Sequence, residues 1–208
     1  MSPETAVRLP ADDVDDIVDV MADAFRGYPV MRFVAGEQGD VAAREHRLVE
    51  LFVRRRMRRG GPAFGVSTLE NSTGKSSLAG AAILTLPIEP EPPPDVAEMT
   101  AATWRVLGDG ARERYEAYAA AASTVNVDEP HHHLNMIAVR PAHMGKGLAR
   151  PLIDAVIALA QADPHSAGVS LTTEMPRNVD LYRHFGFEVV GEVDVAPGLH
   201  TWGMFYRT

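Results

Sequence analysis

Cysteine is absent from the 208 residues, so there is no disulfide framework, no thiolate metal site and no cysteine nucleophile. Nor is there a long apolar run: the longest, Leu78 to Pro87, falls well short of the ~20 residues a membrane-spanning helix needs, and no membrane partner is expected. Positive charge is in deficit, 20 Lys and Arg against 28 Asp and Glu, which argues against nucleic acid as a partner. The start, Met1-Ser2-Pro3-Glu4, lacks the basic residues and apolar stretch of a secretion signal, and Asp12, Asp13, Asp15 and Asp16 do not suit a transit peptide. A cytoplasmic location is expected. What is present is 46% apolar residue content, enough for a core, in a length that fits one domain spanning 1–208.

One segment runs against the overall charge. Arg54-Arg55-Arg56-Met57-Arg58-Arg59 stops at Gly60-Gly61-Pro62, which reads as a helix end, where the dipole favours cations; a solvated helix terminus is expected rather than a polyanion site.

Val14, Ile17, Val18, Met21, Ala24 and Phe25 recur at helical spacing behind Asp12 and Asp13, residues that suit a helix cap. A short strand near Val7-Arg8-Leu9 precedes them, and a second helix is expected over 41–59. Two strand-like runs, 64–69 and 78–86, flank a polar loop and read as a hairpin. Within that loop Gly74-Lys75-Ser76 imitates the end of a phosphate-binding P-loop. Leu69 stands where that motif needs its first glycine, however, and a strand follows where it needs a helix. Five prolines within 87–95 make an extended connector, and helical material with Trp104, Leu107, Tyr115 and Tyr118 follows. Beyond it the pattern is strand 131–139, turn 141–146, helix 147–162, strand 169–173, short helix 178–185, and strands 187–195 and 201–206. Alternating helices and strands make the fold class α/β.

Two glycines, Gly145 and Gly147, stand where a strand hands over to a helix. Glycine permits a tight turn and close approach of a ligand, and exposed N–H groups at a helix start attract anions such as a pyrophosphate. A metal site from His131, His133 and Glu129 is not expected, because adjacent strand residues point to opposite faces and no further ligand cluster is visible.

The turn Met144-Gly145-Lys146-Gly147-Leu148-Ala149, together with Asn178, Tyr182, Gly186 and Phe187, resembles the GCN5-related N-acetyltransferase (GNAT) superfamily. That family's coenzyme A loop reads Gln/Arg-x-x-Gly-x-Gly/Ala, here Met144, Gly147 and Ala149, with Met144 departing from the usual Gln or Arg. Within the superfamily the likeness leans to the puromycin N-acetyltransferase-like proteins, through Asp12-Asp13-Val14, Tyr28-Pro29, Pro176-Arg177-Asn178 and Thr201-Trp202. The resemblance implies a central mixed β-sheet flanked by helices, with strands that splay at the cofactor cleft. It further implies acetyl transfer from acetyl-CoA (coenzyme A as carrier) to a primary amine of a small molecule, by a monomer or homodimer and without a metal. The alternatives are a non-catalytic acyl-CoA-binding or sensory module and an acetyltransferase of protein amines.

Amine attack on a thioester needs a base, an oxyanion donor and an acid for the departing thiolate. The resemblance assigns the acid to Tyr182 and the oxyanion donor to the backbone at Ile137, with Val139 and Asn178 among the cofactor contacts. For the base it offers His133, on a strand expected to carry His131, His133 and Asn135 on one face. The rival is Glu174, on the face of Thr172 but further along its strand. Phe25, Tyr28 and Phe33 are expected to line the acceptor pocket.

Overall fold

The computed structural model describes residues 5–69 and 76–208, so the Met1 to Glu4 start and most of the Gly74-Lys75-Ser76 turn lie outside the described residues. The elements in order are β1 (Val7–Arg8), α1 (Val14–Ala24), α2 (Pro29–Ala35), α3 (Val41–Arg58), β2 (Ala63–Leu69), β3 (Ser76–Thr85), α4 (Pro94–Leu107) and α5 (Asp109–Ser123). Then come β4 (His132–Val139), α6 (Ala149–Ala162), β5 (Gly168–Thr173), α7 (Pro176–His184), β6 (Glu188–Ala196) and β7 (Leu199–Arg207). Among the described residues no helix is long and apolar enough to cross a membrane, and no group of three or more His, Asp or Glu is arranged to hold a metal ion.

The strands form one mixed sheet in the order β1-β2-β3-β4-β5-β7-β6, antiparallel throughout except for the parallel pair β4 and β5. One face buries Ile17, Met21, Leu48, Leu51 and Trp104 from α1, α3 and α4. The other buries Leu152, Ile153, Val156 and Tyr182 from α6 and α7. Both sets sit at the helical spacing that gives an apolar stripe.

Local chemistry explains where the helices start. Asp40 caps α3, its Oδ1 accepting from Ala43 N–H at 3.1 Å. Asp12 and Asp13 do not cap α1; they lie in a 3-10 turn, and neither the turn nor α1 has a side-chain cap bond. Three helices begin on proline, α2 at Pro29, α4 at Pro94 and α7 at Pro176, positions where the missing N–H has no helical partner to lose. The proline-rich connector therefore ends inside a helix. The arginine run is the expected helix end: Arg54 meets Asp15 and Glu50, Arg56 and Arg59 meet Glu89, and Arg58 meets Asp95.

Two irregularities of β4 create the site. Its parallel pairing with β5 covers only His132 with Val169 and His133 with Ser170, after which the strands diverge. Against β3, Ile83 pairs with Met136 and Leu84 with Leu134, which leaves Asn135 as an extra, unpaired residue. This bulge reverses the alternation, so Leu134 belongs to one core and Met136 to the other. The expectation that His133 and Asn135 share a regular face is corrected accordingly.

Candidate active site

A cavity of about 430 Å³ opens between the diverging ends of β4 and β5. Its wall includes Phe25 and Tyr28 from the α1–α2 corner, His133, Ile137 and Val139 of β4, Met144, Glu174, Asn178 and Tyr182. Most of the site residues expected from the sequence thus meet in one place. Residues 145–149 are not part of that wall, and neither is Phe33, which lines a second cavity, of about 810 Å³, with Arg44, Arg114 and Leu199. For Phe33 the reason is α2. Val30, Met31 and Val34 turn towards the first cavity, and Phe33, about 100° round the helix from Val34, looks elsewhere.

Glu174 lies one residue beyond β5 and is buried. Its Oε1 accepts from the Tyr118 hydroxyl at 2.9 Å and the Thr201 hydroxyl at 3.2 Å, and its backbone N–H donates to the Tyr28 hydroxyl at 3.2 Å. Burial raises its pKa above the usual carboxylate range, and the hydrogen bonds oppose that rise without cancelling it. Thr172, two residues earlier, instead hydrogen-bonds with the Tyr118 hydroxyl at 3.3 Å.

His133 has the opposite fate. Its Nδ1 sits 2.7 Å from the Ser170 hydroxyl. Burial first, then His131 and Arg56, push its pKa down to about 4, so the imidazole is neutral at neutral pH and a weak proton acceptor. Tyr182 is buried between the cavity and Phe187, with ring centroids 5.7 Å apart. Burial and the charge of Glu174 raise its pKa, which keeps the phenol protonated and able to donate.

Backbone polar groups complete the picture. Arg140 N–H donates to Ala79 O on β3 at 2.8 Å. In an antiparallel ladder such pairs alternate, so Ile137 and Val139 direct their N–H groups away from β3, into the gap left by β5. At the head of α6 the N–H groups of Gly145, Lys146, Gly147, Leu148 and Ala149 have no acceptor among the described residues. Gly145 and Gly147 hold φ of +76° and +80°, the left-handed conformation that lets successive N–H groups converge into an anion-binding nest. The α-helix itself starts at Ala149, two residues later than expected, because the two glycines are spent on this loop. The Leu148 side chain enters the core, so only its backbone is offered, while Met144 is exposed on the cavity rim. The Asn178 Nδ2 donates to Thr173 Oγ1 at 3.2 Å, and that hydroxyl also bonds Tyr28 at 3.1 Å.

Tyr118 and Thr201, the hydroxyl partners of Glu174, are not among the site residues expected from the sequence. Tyr115 and Tyr118, three residues apart on one helix, are the signal that was available.

Residues 111–207 match the family described as acetyltransferase (GNAT) domain. Among solved structures, a Corynebacterium glutamicum protein described as histone acetyltransferase HPA2 and related acetyltransferase is 20% identical, covering 99% of this chain and 97% of its own with a TM-score of 0.66. Arylalkylamine N-acetyltransferase 2 from Aedes aegypti is 13% identical, with 98% of each chain covered and a TM-score of 0.63. A polyamine N-acetyltransferase from Drosophila melanogaster is 13% identical over 97% of each chain, with a TM-score of 0.59. At these identities the three share its fold.

Proposed function

We propose that residues 1–208 act as one domain of the GNAT acetyltransferase family, an acetyl-CoA-dependent group of enzymes whose domain residues 111–207 match, and that it acetylates a primary amine of a small molecule, with Glu174 as base and Tyr182 as acid. The observation that carries this reading is the buried Glu174 carboxylate, held by Tyr118 and Thr201 in a cavity that also presents Tyr182. The five unsatisfied N–H groups of 145–149 suit a pyrophosphate, and the gap between β4 and β5 suits an extended chain, so the residues present fit acetyl-CoA.

When bound, acetyl-CoA supplies an acetyl thioester with a thiolate leaving group. Glu174 takes a proton from the incoming ammonium, which frees the nitrogen lone pair for attack on the acetyl carbon. The Ile137 N–H, turned into the gap, donates to the carbonyl oxygen as negative charge gathers there. Tyr182 passes its proton to the departing sulfur and recovers one from the nitrogen as the amide forms. A raised Glu174 pKa suits the first of these steps, because a base whose pKa lies nearer neutrality accepts a proton more readily. His133 serves through its bond to Ser170, bracing the last paired step of β4 and β5.

The test is thiol release from acetyl-CoA by the purified chain across a panel of small primary amines. Turnover is expected with part of the panel, and Tyr182→Phe, which keeps the ring, should lower kcat by roughly 10²–10⁴. Acetyl-CoA binding without thiol release from any amine would overturn the catalytic reading in favour of a binding module. Wild-type kcat in Tyr182→Phe would remove the acid.

A further inference from the structure

Of the five arginines in 54–59, four reach carboxylates; Arg55 reaches none among the described residues. Its guanidinium lies 5.9 Å from the ring centres of both Phe52 and Tyr115, which are themselves stacked at 5.3 Å, and its Nη2 donates to the Tyr115 hydroxyl at 3.0 Å. Arg55 forms part of the wall of the same cavity that holds Glu174. The stacked rings and the Tyr115 bond fix the guanidinium in one orientation and occupy one of its five donors. The planar fork matches a carboxylate or similar anion. A half-buried cation with no counter-charge is a costly arrangement that a ligand's anion would relieve.

The location says whose anion it is. Arg55 stands on α3 and Tyr115 on α5, the layer across the sheet from α6. The unsatisfied N–H groups of 145–149 open α6, so the cofactor's pyrophosphate and Arg55 are on opposite faces. What Arg55 would meet is the acceptor. On α5, Tyr115 and Tyr118 lie on one helical face, separated by a rise of ~4.5 Å along the axis. Tyr115 bonds Arg55 and Tyr118 bonds Glu174. One short face thus presents a cation at one end and a carboxylate at the other, with Phe25, Tyr28 and Met31 providing apolar wall.

We propose that the acceptor is zwitterionic: an amino-acid-like molecule whose amine is delivered to Glu174 while its carboxylate pairs with Arg55 across an apolar or aromatic middle. This rests on the acetyltransferase reading above and adds the substrate class to it. The carboxylate takes no part in the chemistry; it sets the register of the amine.

Matched triplets test it: an aromatic or ω-amino acid, its carboxamide and the amine lacking the carboxyl group, each assayed by thiol release with wild type, Arg55→Lys and Arg55→Met. The carboxylate member should lead by roughly 10- to 100-fold in kcat/KM, the scale of a charged, bidentate hydrogen-bonded pair, and mainly through KM. Arg55→Met should bring the three members to near parity, and Arg55→Lys should restore part of the preference. Equal use of all three by wild type, or a preference that survives in Arg55→Met, would overturn the proposal while leaving amine acetylation standing. If Arg55→Met does not fold, the wild-type triplet and Arg55→Lys still decide. Thiol release from no acceptor of any kind would remove the acetyltransferase reading, and this proposal with it.

Discussion

His133 and Glu174 face one cavity, and burial moves them in opposite directions: the imidazole down to about 4, the carboxyl up from its usual range. For a base the deprotonated form is active, so kcat/KM should rise as pH climbs through the folded pKa of the group responsible. With Glu174 in that role the limb falls above the ordinary carboxyl value of ~4.3. Glu174→Gln should abolish the limb and lower kcat by roughly 10²–10⁴, whereas His133→Asn should leave its midpoint in place. A pH profile on one acceptor, with all three proteins, makes the comparison. Loss of the limb in His133→Asn alone would transfer the role to the histidine. The two residues could not be separated in the sequence, because burial and hydrogen-bond partners decide the matter. Those partners, Tyr118, Thr201 and Ser170, come from three other elements.

At the scale of elements, the head of α6 carries the clearest expectation. Gly147 holds φ +80°, and a Cβ there would meet nothing within 4 Å. The space is open, so the demand for glycine comes from the backbone angle and from what must approach it. Gly147→Val places a β-branched residue in the left-handed region at a strain of roughly 1–3 kcal/mol, relieved by turning the peptide out of the nest. Acetyl-CoA affinity should fall about 5- to 150-fold by calorimetry while the far-ultraviolet circular dichroism is retained. Unchanged affinity in a folded variant would place the pyrophosphate elsewhere. This loop was legible in the sequence as a tight turn between a strand pattern and a helix pattern, while its reading as a cofactor loop leaned on the resemblance carried by Asn178, Tyr182, Gly186 and Phe187. The bulge at Asn135 was not, since counting alternate residues registers no extra one. Nor was α2, seven residues whose first is a proline and whose apolar positions are too few to show a period. Missing α2 is what misplaced Phe33.

Across the whole molecule, the site depends on how closely α5 settles against the sheet. Val125, just beyond α5, rests on two glycines of neighbouring strands, Gly203 of β7 and Gly191 of β6, which pair with each other. A Cβ on Gly203 would land on the Val125 carbonyl oxygen, a backbone atom with no means of swinging aside, while one on Gly191 would stand 3.1 Å from the Val125 side chain. Gly203 also pairs with Thr172, whose hydroxyl bonds Tyr118, the residue that holds Glu174. Gly203→Ala should therefore cost about 1–3 kcal/mol in urea denaturation, the usual penalty for overpacking. It should also lower kcat/KM beyond the fraction unfolded, because lifting α5 separates Tyr118 from the carboxylate. Gly191→Ala, whose Cβ would stand 3.1 Å from the Val125 Cβ and 3.3 Å from its Cα, needs a shift of only a few tenths of an ångström, so it should cost less in stability and leave turnover closer to wild type. Wild-type stability and turnover in Gly203→Ala would show that α5 can shift freely on the sheet, and that the Tyr118 bond to Glu174 does not depend on its close seating.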